Sequence, residues 1–431
     1  MEYKSLDNWQ GLLALSPLLV FILFYLTLSI IAGDFYKVPI TVAFATASIY
    51  AIAISGGHPL AKRVDIFSRG AGSTNLLLML WIYVLAGAFA ASAKEIGSID
   101  ATVNCTLSYL PSSLLLPGLF VATCFISISI GTSVGTIVAL VPIAAGIAHS
   151  IGTSIPLMTA VIVGGAYFGD NLSFISDTTV VATQTQGCKM SDKFRVNSMI
   201  VIPAAIIVLA IYALMGKGFA SPAQIQPFSV WKIIPYLVVL LAAIAGMNVM
   251  AVLTLGIVLC GGIGMLDGTY DLYGWLIAMG NGITGMGELV IVAMLAGGML
   301  EIIREKGGIN YLIEKLTAHV ASKRGAELSI AALVSLVNVC TANNTVAILT
   351  VGGISKKISD RFGVDNRKAA SILDTFSCAV QGFLPYGAQT LLASGLARLN
   401  PIEIIPYLYY PLAIGIAALG AIIFRYPKKY S

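Results

Sequence analysis

Two carboxylates stand where the surrounding residues leave them little water. Asp170 and Asp177 lie in the run GGAYFGDNLSFISDTT (164–179), inside an otherwise apolar stretch over 155–183. An ionised Asp at the centre of a bilayer costs about 2.5–3.5 kcal/mol even on the lenient insertion scale, so such residues mark ion or substrate pathways. A carboxylate binds a small cation, and burial disfavours its charged form, so that a proton and a cation compete for it. Asn171, Ser173 and Thr178 offer neutral oxygens beside the two acids. The glycines before Asp170 and the Ser, Asp and Thr residues after it suit an unwound helix centre. Half-helix ends there would present carbonyls to a cation and N–H groups to an anion. The rival reading is a short cytoplasmic loop between two helices.

Three further polar clusters interrupt apolar sequence. The run SISIGTSVGT (127–136) lies between the apolar arms 114–126 and 137–148. Each arm alone is too short to cross a bilayer, and Gly131 and Gly135 permit a turn, so 113–150 reads as a re-entrant hairpin that exposes Thr132 and Thr136. A single kinked span, its hydroxyls bonded back to helix carbonyls, is the alternative. A second hairpin is expected over 326–355, where NVCTANNT (338–345) supplies Thr341, Asn343, Asn344 and Thr345. Amide oxygens there can ligate a hard cation or bond a substrate; a polar turn outside the membrane is the alternative. The segment 369–397 carries Asp374, Gln381, Gln389 and Thr390, and Pro385 and Gly387 break it near its centre. Asp374 is either part of that site or an interfacial residue one turn into the span. Glu288 is one more embedded acid, either a proton carrier or a residue facing a polar vestibule.

The elements that position these groups are membrane spans. The chain has 431 residues, 58% hydrophobic and 10% charged, against about 25% charged in a soluble domain. Apolar runs of roughly 18 residues or more, each able to cross a bilayer, recur from end to end. They give an all-α membrane protein with about ten transmembrane helices: 11–32, 38–55, 74–93, 155–183, 197–216, 233–246, 248–265, 275–303, 369–397 and 405–424. The first and last of the polar-cluster segments, 155–183 and 369–397, are broken helices; 113–150 and 326–355 are the hairpins. All Lys and Arg residues fall in loops or at segment ends in this scheme, so the net charge of +5 reflects membrane orientation and calls for no nucleic acid. With the N-terminus in the cytoplasm, 20 of the 25 Lys and Arg residues lie on the cytoplasmic side. That puts the protein in the cytoplasmic (inner) membrane with both termini inside. The first ten residues show no cleavage site for a removable signal, so the first span is expected to remain as a helix.

With that orientation, 1–216 and 217–431 follow one plan, three spans, a hairpin, a broken span and a last span, in opposite senses. Inverted-topology repeats of this kind are common in secondary transporters. The letters carry a faint trace: a slide of 209 residues sets Thr132 over Thr341 and Thr136 over Thr345. Six scattered cysteines without a CxxC, and three histidines at no ligand spacing, argue against a disulfide framework or a zinc site. His58, His149 and His319 receive no role. The chain has no GxxxxGK[ST] phosphate loop, which argues against primary pumping, and no constellation for an enzyme. No cofactor is called for beyond a transported or coupling Na+.

The stretch GAYFGD (165–170) followed by LSFISDTT (172–179) resembles the signature of the NhaC family of sodium/proton antiporters, within the ion transporter superfamily. Leu373-Asp374 and Leu384-Pro385-Tyr386 look like the family's acidic residue and its following Leu/Ile-Pro-aromatic element. The resemblance implies inverted repeats with two re-entrant hairpins and two broken helices meeting near the midplane. It implies Na+ as transported or coupling ion, and a homodimer. Phe174 stands where the family usually has Pro, and TANNT (341–345) where many members carry an Asp. Some members carry amino or organic acids, which the amide-rich second cluster suits. The leading expectation is Na+/H+ antiport, with Asp170 and Asp177 binding Na+ and H+ competitively and Thr132, Thr136, Asn171, Ser173 and Thr178 around them. The alternative is Na+-coupled transport of an amino acid or small organic acid through Asn343, Asn344, Gln381 and Gln389. Because no Lys or Arg is expected in the embedded region, zwitterions suit that site better than dianions.

Overall fold

The structure, a computed structural model, describes residues 7–32, 37–173, 176–219, 227–318 and 320–430, without the side chains of Asn75, Ile130, Ala243, Ile244 and Thr317. Phe174 and His319 therefore lie outside the described residues. Regular structure among the described residues is entirely helical. The first half runs α1 (Asn8–Ala32), α2 (Ile40–Ile54), α3 (Leu60–Ala71), α4 (Thr74–Glu95), α5 (Ser98–Tyr109), α6 (Leu115–Ile130), α7 (Ser133–Ile151), α8 (Ile155–Leu172), α9 (Asp177–Gln186) and α10 (Met190–Gly216). The second runs α11 (Ile234–Ile244), α12 (Val249–Leu266), α13 (Leu272–Gly285), α14 (Gly287–Glu305), α15 (Gly308–Thr317), α16 (Lys323–Thr341), α17 (Asn344–Phe362), α18 (Asn366–Gly382), α19 (Ala388–Ala397), α20 (Pro401–Ile404) and α21 (Tyr409–Ile423).

Among the described residues, eight spans are long and apolar enough to cross a membrane, or nine if α20 and α21, bent by 54°, count as one more. The expected spans 38–55 and 233–246 are shorter apolar helices. Exposure runs opposite to that of a water-soluble bundle. On α10 the face carrying Lys193, Val196, Asn197, Ile200, Val201 and Ala204 is buried, while Ile206, Ile207 and Leu214 are exposed. Polar groups turned inward and aliphatic side chains turned outward are stable when lipid is the solvent for the outer face.

Three expectations need correction. The hairpin arms are longer than read from the sequence, because the polar cluster 127–136 is itself helical except at the turn. Only Gly131, in the left-handed region at φ 73°, and the extended Thr132 separate α6 from α7. The hydroxyls of Ser129 and Thr136 bond back to the carbonyls of Phe125 and Thr132, which lets the helices continue through them. At 1.5 Å per residue α6 and α7 reach about 24 and 28 Å, close to the full hydrocarbon thickness of about 30 Å. The span 275–303 stands as one long candidate span, Leu272–Glu305, in which Met286 alone separates α13 from α14. Loops 56–73, 94–112 and 304–325 contain the helices α3, α5 and α15; α3 lies against α14 so closely that a Cβ on Gly70 would stand 2.4 Å from the carbonyl oxygen of Gly297. Lastly, the loops 184–196 and 356–368 hold two lysines that are not at the surface: Lys193 and Lys368 are each 1% exposed.

The two helix breaks fall within the expected segments. α8 ends at Leu172 and α9 begins at Asp177, with the Ser176 hydroxyl capping α9 by accepting from the Thr179 N–H at 3.3 Å. α18 ends at Gly382 and α19 begins at Ala388, past Pro385. In both, a long arm precedes a short one. The short arms are exchanged: α9 packs on α17 and α18, and α19 packs on α7 and α8. Each half therefore completes the surroundings of the other's hairpin, and the breaks and turns are brought to one level.

Candidate functional site

A cavity of about 530 Å3 lies where these turns and breaks meet. The first hairpin turn contributes 131–134, the second 343–346, the first break Asp170, Asp177 and Thr178, and the second break Ala388 and Gln389. Leu78, Met79 and Ile82 of α4 and the α11–α12 turn, 247–250, close the remaining wall. Four segments expected to carry the chemistry, far apart in the chain, thus share one polar space.

Asp170 is 5% exposed, and one of its carboxylate oxygens accepts the backbone N–H of Ser133 at 3.2 Å. Ser133 is the first residue of α7, so the carboxylate sits at a helix N-terminus, where unpaired N–H groups and the helix dipole favour negative charge. The Asp170 carbonyl, released by the end of α8, accepts from the hydroxyls of Ser176 at 2.9 Å and of Thr178 and Thr179 at 3.3 Å each. Those hydroxyls satisfy a backbone group that unwinding would otherwise leave bare in an apolar interior.

Asp374 is built differently. It is fully buried and does not line the cavity. One of its oxygens accepts from Lys193 Nζ at 2.8 Å, Asn197 Nδ2 at 2.7 Å and Asn171 Nδ2 at 3.1 Å. Its other oxygen and the side-chain oxygen of Asn197 have no hydrogen-bond partner among the described residues. Lys193 also donates to the Asn171 carbonyl at 2.8 Å and to Thr179 Oγ1 at 2.6 Å. The Asn171 side-chain oxygen accepts from the Tyr410 hydroxyl at 2.8 Å. Asp374 is thus enclosed by protein, and a lysine neutralises it: the expectation of an embedded region free of Lys fails at this point. The reason is helical geometry, since Lys193 and Asn197 are one turn apart on the buried face of α10. A second buried pair, Lys368 with Glu327 at 3.1 Å, ties α18 to α16.

The other expected residues divide between the cavity and its supports. Thr132, Asp177, Thr178, Asn343, Asn344, Thr345 and Gln389 line the cavity; Asp177 is exposed there, at the start of α9. Gln389 donates to Ser133 Oγ at 3.1 Å and accepts from Gln381 Nε2 at 3.0 Å, so it links the two halves. Gln381 also holds the second turn through the Ala342 carbonyl at 2.9 Å. Asn343 caps α17 by accepting from the Val346 N–H, and the Thr341 hydroxyl donates to the Asn343 carbonyl at 3.2 Å. Asn344 is buried against Cys378. Ser173 donates to the Ile128 carbonyl at 3.0 Å, joining the break to α6. Thr136 lies inside α7, and the buried Thr390 hydroxyl has no partner among the described residues. Glu288 is not brought to the cavity; it is exposed in the first turn of α14. Sequence reasoning missed Lys193, Asn197, Ser133, Ser176, Thr179 and Tyr410. The signal for the first two was present as the helical spacing Lys193, Val196, Asn197, Ile200, Val201.

A central polar cavity built from two helix breaks and two hairpin turns, inside helices with aliphatic outer faces, defines a secondary membrane transporter. The sequence profile described as the Na+/H+ antiporter family matches residues 11–217 and 221–428. The chain belongs to that family and is a multi-pass membrane protein. It is 24% identical over 399 residues to the Na+/H+ antiporter NhaC of Bacillus subtilis (strain 168), covering 83% of this chain and 85% of that one. It is 21% identical over 396 residues to the malate-2H+/Na+-lactate antiporter of the same organism, covering 83% of each. To the arginine/ornithine antiporter ArcD of Halobacterium salinarum it is 23% identical over 378 residues, covering 79% of this chain and 76% of that one.

Proposed function

We propose that this transporter exchanges Na+ for H+ at Asp170. One observation carries the reading: Asp170 is a buried carboxylate on the wall of the central cavity, held by the backbone N–H and the hydroxyl of Ser133 and by no basic side chain among the described residues. Lost hydration leaves such a group two ways to recover stability, a bound proton or a bound cation. Thr132, Thr178 and the amides of Asn343 and Asn344 stand on the same wall as neutral oxygen ligands. Alternate occupancy by H+ and Na+, with the cavity opening to either side in turn, gives antiport. Asp177, exposed in the same cavity, draws cations toward the site. The test is Na+-driven pH-gradient collapse in proteoliposomes. Activity should vanish in Asp170→Asn, and unchanged activity in both Asp170→Asn and Asp177→Asn sinks the assignment.

A second reading has its own support. A cavity of about 530 Å3 falls within the size range of small-molecule sites and far exceeds the needs of one bare ion. Asn248, Asn343, Asn344 and Gln389 give it donors and acceptors, and two of the relatives bear the names of organic-solute antiporters. Counterflow of labelled amino and hydroxy acids decides between the readings: Na+-dependent accumulation of one of them makes the solute, rather than Na+ alone, the cargo. The orientation belongs to the same proposal. With Lys193 and Lys368 taken out as buried residues, 18 Lys and Arg residues remain on the cytoplasmic side against five outside. This supports the cytoplasmic membrane with both termini inside. The homodimer is tested by single-particle mass measurement in nanodiscs.

A further inference from the structure

The Lys193 ammonium sits in a cage of the kind that holds an alkali cation. Three oxygens of three different chemical types and from three different helices receive it: the Asn171 carbonyl of α8 at 2.8 Å, Thr179 Oγ1 of α9 at 2.6 Å and the Asp374 carboxylate of α18 at 2.8 Å. The carbonyl belongs to the last turn of α8, where the helix dipole places partial negative charge. The hydroxyl and the carboxylate complete a set of hard oxygen donors, the ligand class suited to cations such as Na+. Two further buried oxygens beside the cage, Asp374 Oδ1 and Asn197 Oδ1, have no hydrogen-bond partner among the described residues. Lys193 itself is 1% exposed and reaches the cage from α10, a helix outside the break.

From this geometry we infer that the cage is a second cation site of the transporter, permanently filled by a cation tethered to the chain. The ammonium takes the place of a bound ion between the two arms of the first broken helix and α18. It fixes the number of external cations per cycle at one, the cation on Asp170, although the chain carries two fully embedded aspartates at its core. Removal of the side chain empties the cage and leaves Asp374 charged and uncompensated; the Asn171 carbonyl and the Thr179 hydroxyl stay in place as hard oxygen ligands, so that Na+ rather than a proton fills it. Lys193 is then a residue that determines stoichiometry, and it never touches the transported ion. The inference rests on the exchange reading for the count at Asp170 but not for the cage itself.

Equilibrium binding of 22Na+ to the purified full-length transporter in nanodiscs tests it. The wild type is expected to bind one Na+ per chain, Lys193→Ala two, and the double variant Lys193→Ala/Asp374→Asn one. An unchanged count in Lys193→Ala, or a second ion that survives Asp374→Asn, overturns the inference. No ion on the wild type with one on Lys193→Ala sinks the exchange reading and leaves the cage standing; one ion on both does the reverse. Lys193→Ala is expected to lose stability in choline chloride and to regain it in NaCl at equal ionic strength. Failure to accumulate in either salt, while Lys193→Met/Asp374→Asn folds normally, shows that Na+ does not fill the cage and overturns the inference as well.

Discussion

Asp170 and Asp374 both lie on the long first arm of a broken helix, and both are buried, yet their surroundings differ in one respect that decides their chemistry. Asp170 faces the cavity with only the neutral N–H and hydroxyl of Ser133 for partners. Asp374 stands behind the cavity with an ammonium and two amides on a single oxygen. The desolvation of a buried carboxylate has to be offset in either place. In the second half the protein supplies the offsetting charge itself; in the first, on the proposed reading, the task falls to an ion from solution. A carboxylate already paired with an ammonium has little to gain from an exchangeable cation, whereas one left with a helix N-terminus and a polar cavity has more to gain. On the proposed reading one residue type does two jobs in the same membrane interior, transport at Asp170 and structural closure at Asp374.

The largest effect expected from this contrast is loss of exchange without loss of fold. Asp170→Asn should lower Na+-driven proton movement in proteoliposomes by more than about 100-fold, a barrier or affinity change of roughly 3 kcal/mol, with the thermal midpoint little changed. Retention of a tenth of the activity would put the exchangeable carboxylate elsewhere. Next comes stability. Asp374→Asn leaves Lys193 charged and buried, and breaking a buried pair in this way costs about 3–5 kcal/mol. Lys193→Met/Asp374→Asn removes both charges and should recover most of that loss. Thermal unfolding of the three variants checks it; equal losses in single and double variants contradict the pairing.

A smaller effect concerns the packing around Asp170. A Cβ on Gly169 would stand 2.3 Å from Ser127 Cβ and 2.6 Å from the Ser127 backbone carbon, so Gly169→Ala must push α6 from α8, at about 1–3 kcal/mol. Gly262→Ala on α12, where a Cβ meets nothing within 4 Å, should stay within about 0.5 kcal/mol of wild type in the same thermal unfolding measurement. The smallest effect belongs to Asp177. An exposed charge acts through water, about 1 kcal/mol at 4 Å, so Asp177→Asn should raise the half-saturating Na+ concentration by less than about tenfold. A larger change would promote it to a direct ligand.

The break near Asp170 and both hairpin turns were legible in the sequence because a polar residue survives in an apolar membrane run only where protein or a cavity surrounds it. Lys193 was concealed for the converse reason. A lysine close to a span end looks like an orientation signal, and only the helical spacing from Lys193 to Val201 places it on the buried face of α10. The true length of α6 and α7 was hidden because only the apolar runs 114–126 and 137–148 were counted as arms. Hydroxyls bonded back to the preceding turn let both helices run to within two residues of each other. The short helices α3, α5 and α15 escaped because a search for long apolar windows passes over amphipathic segments. Glu288 falls within the long candidate span Leu272–Glu305, but its neighbours in the chain could not show that it is absent from the cavity lining.

Proton release on sodium binding tests most directly which carboxylate exchanges. Purified transporter in weakly buffered solution, with a pH indicator, is titrated with NaCl and with choline chloride as control, at a pH where exchange is active. Wild type and Lys193→Met/Asp374→Asn should both release protons as Na+ binds, and Asp170→Asn should release none. Proton release that persists in Asp170→Asn and disappears in the Lys193/Asp374 double variant would move the exchange from Asp170 to Asp374.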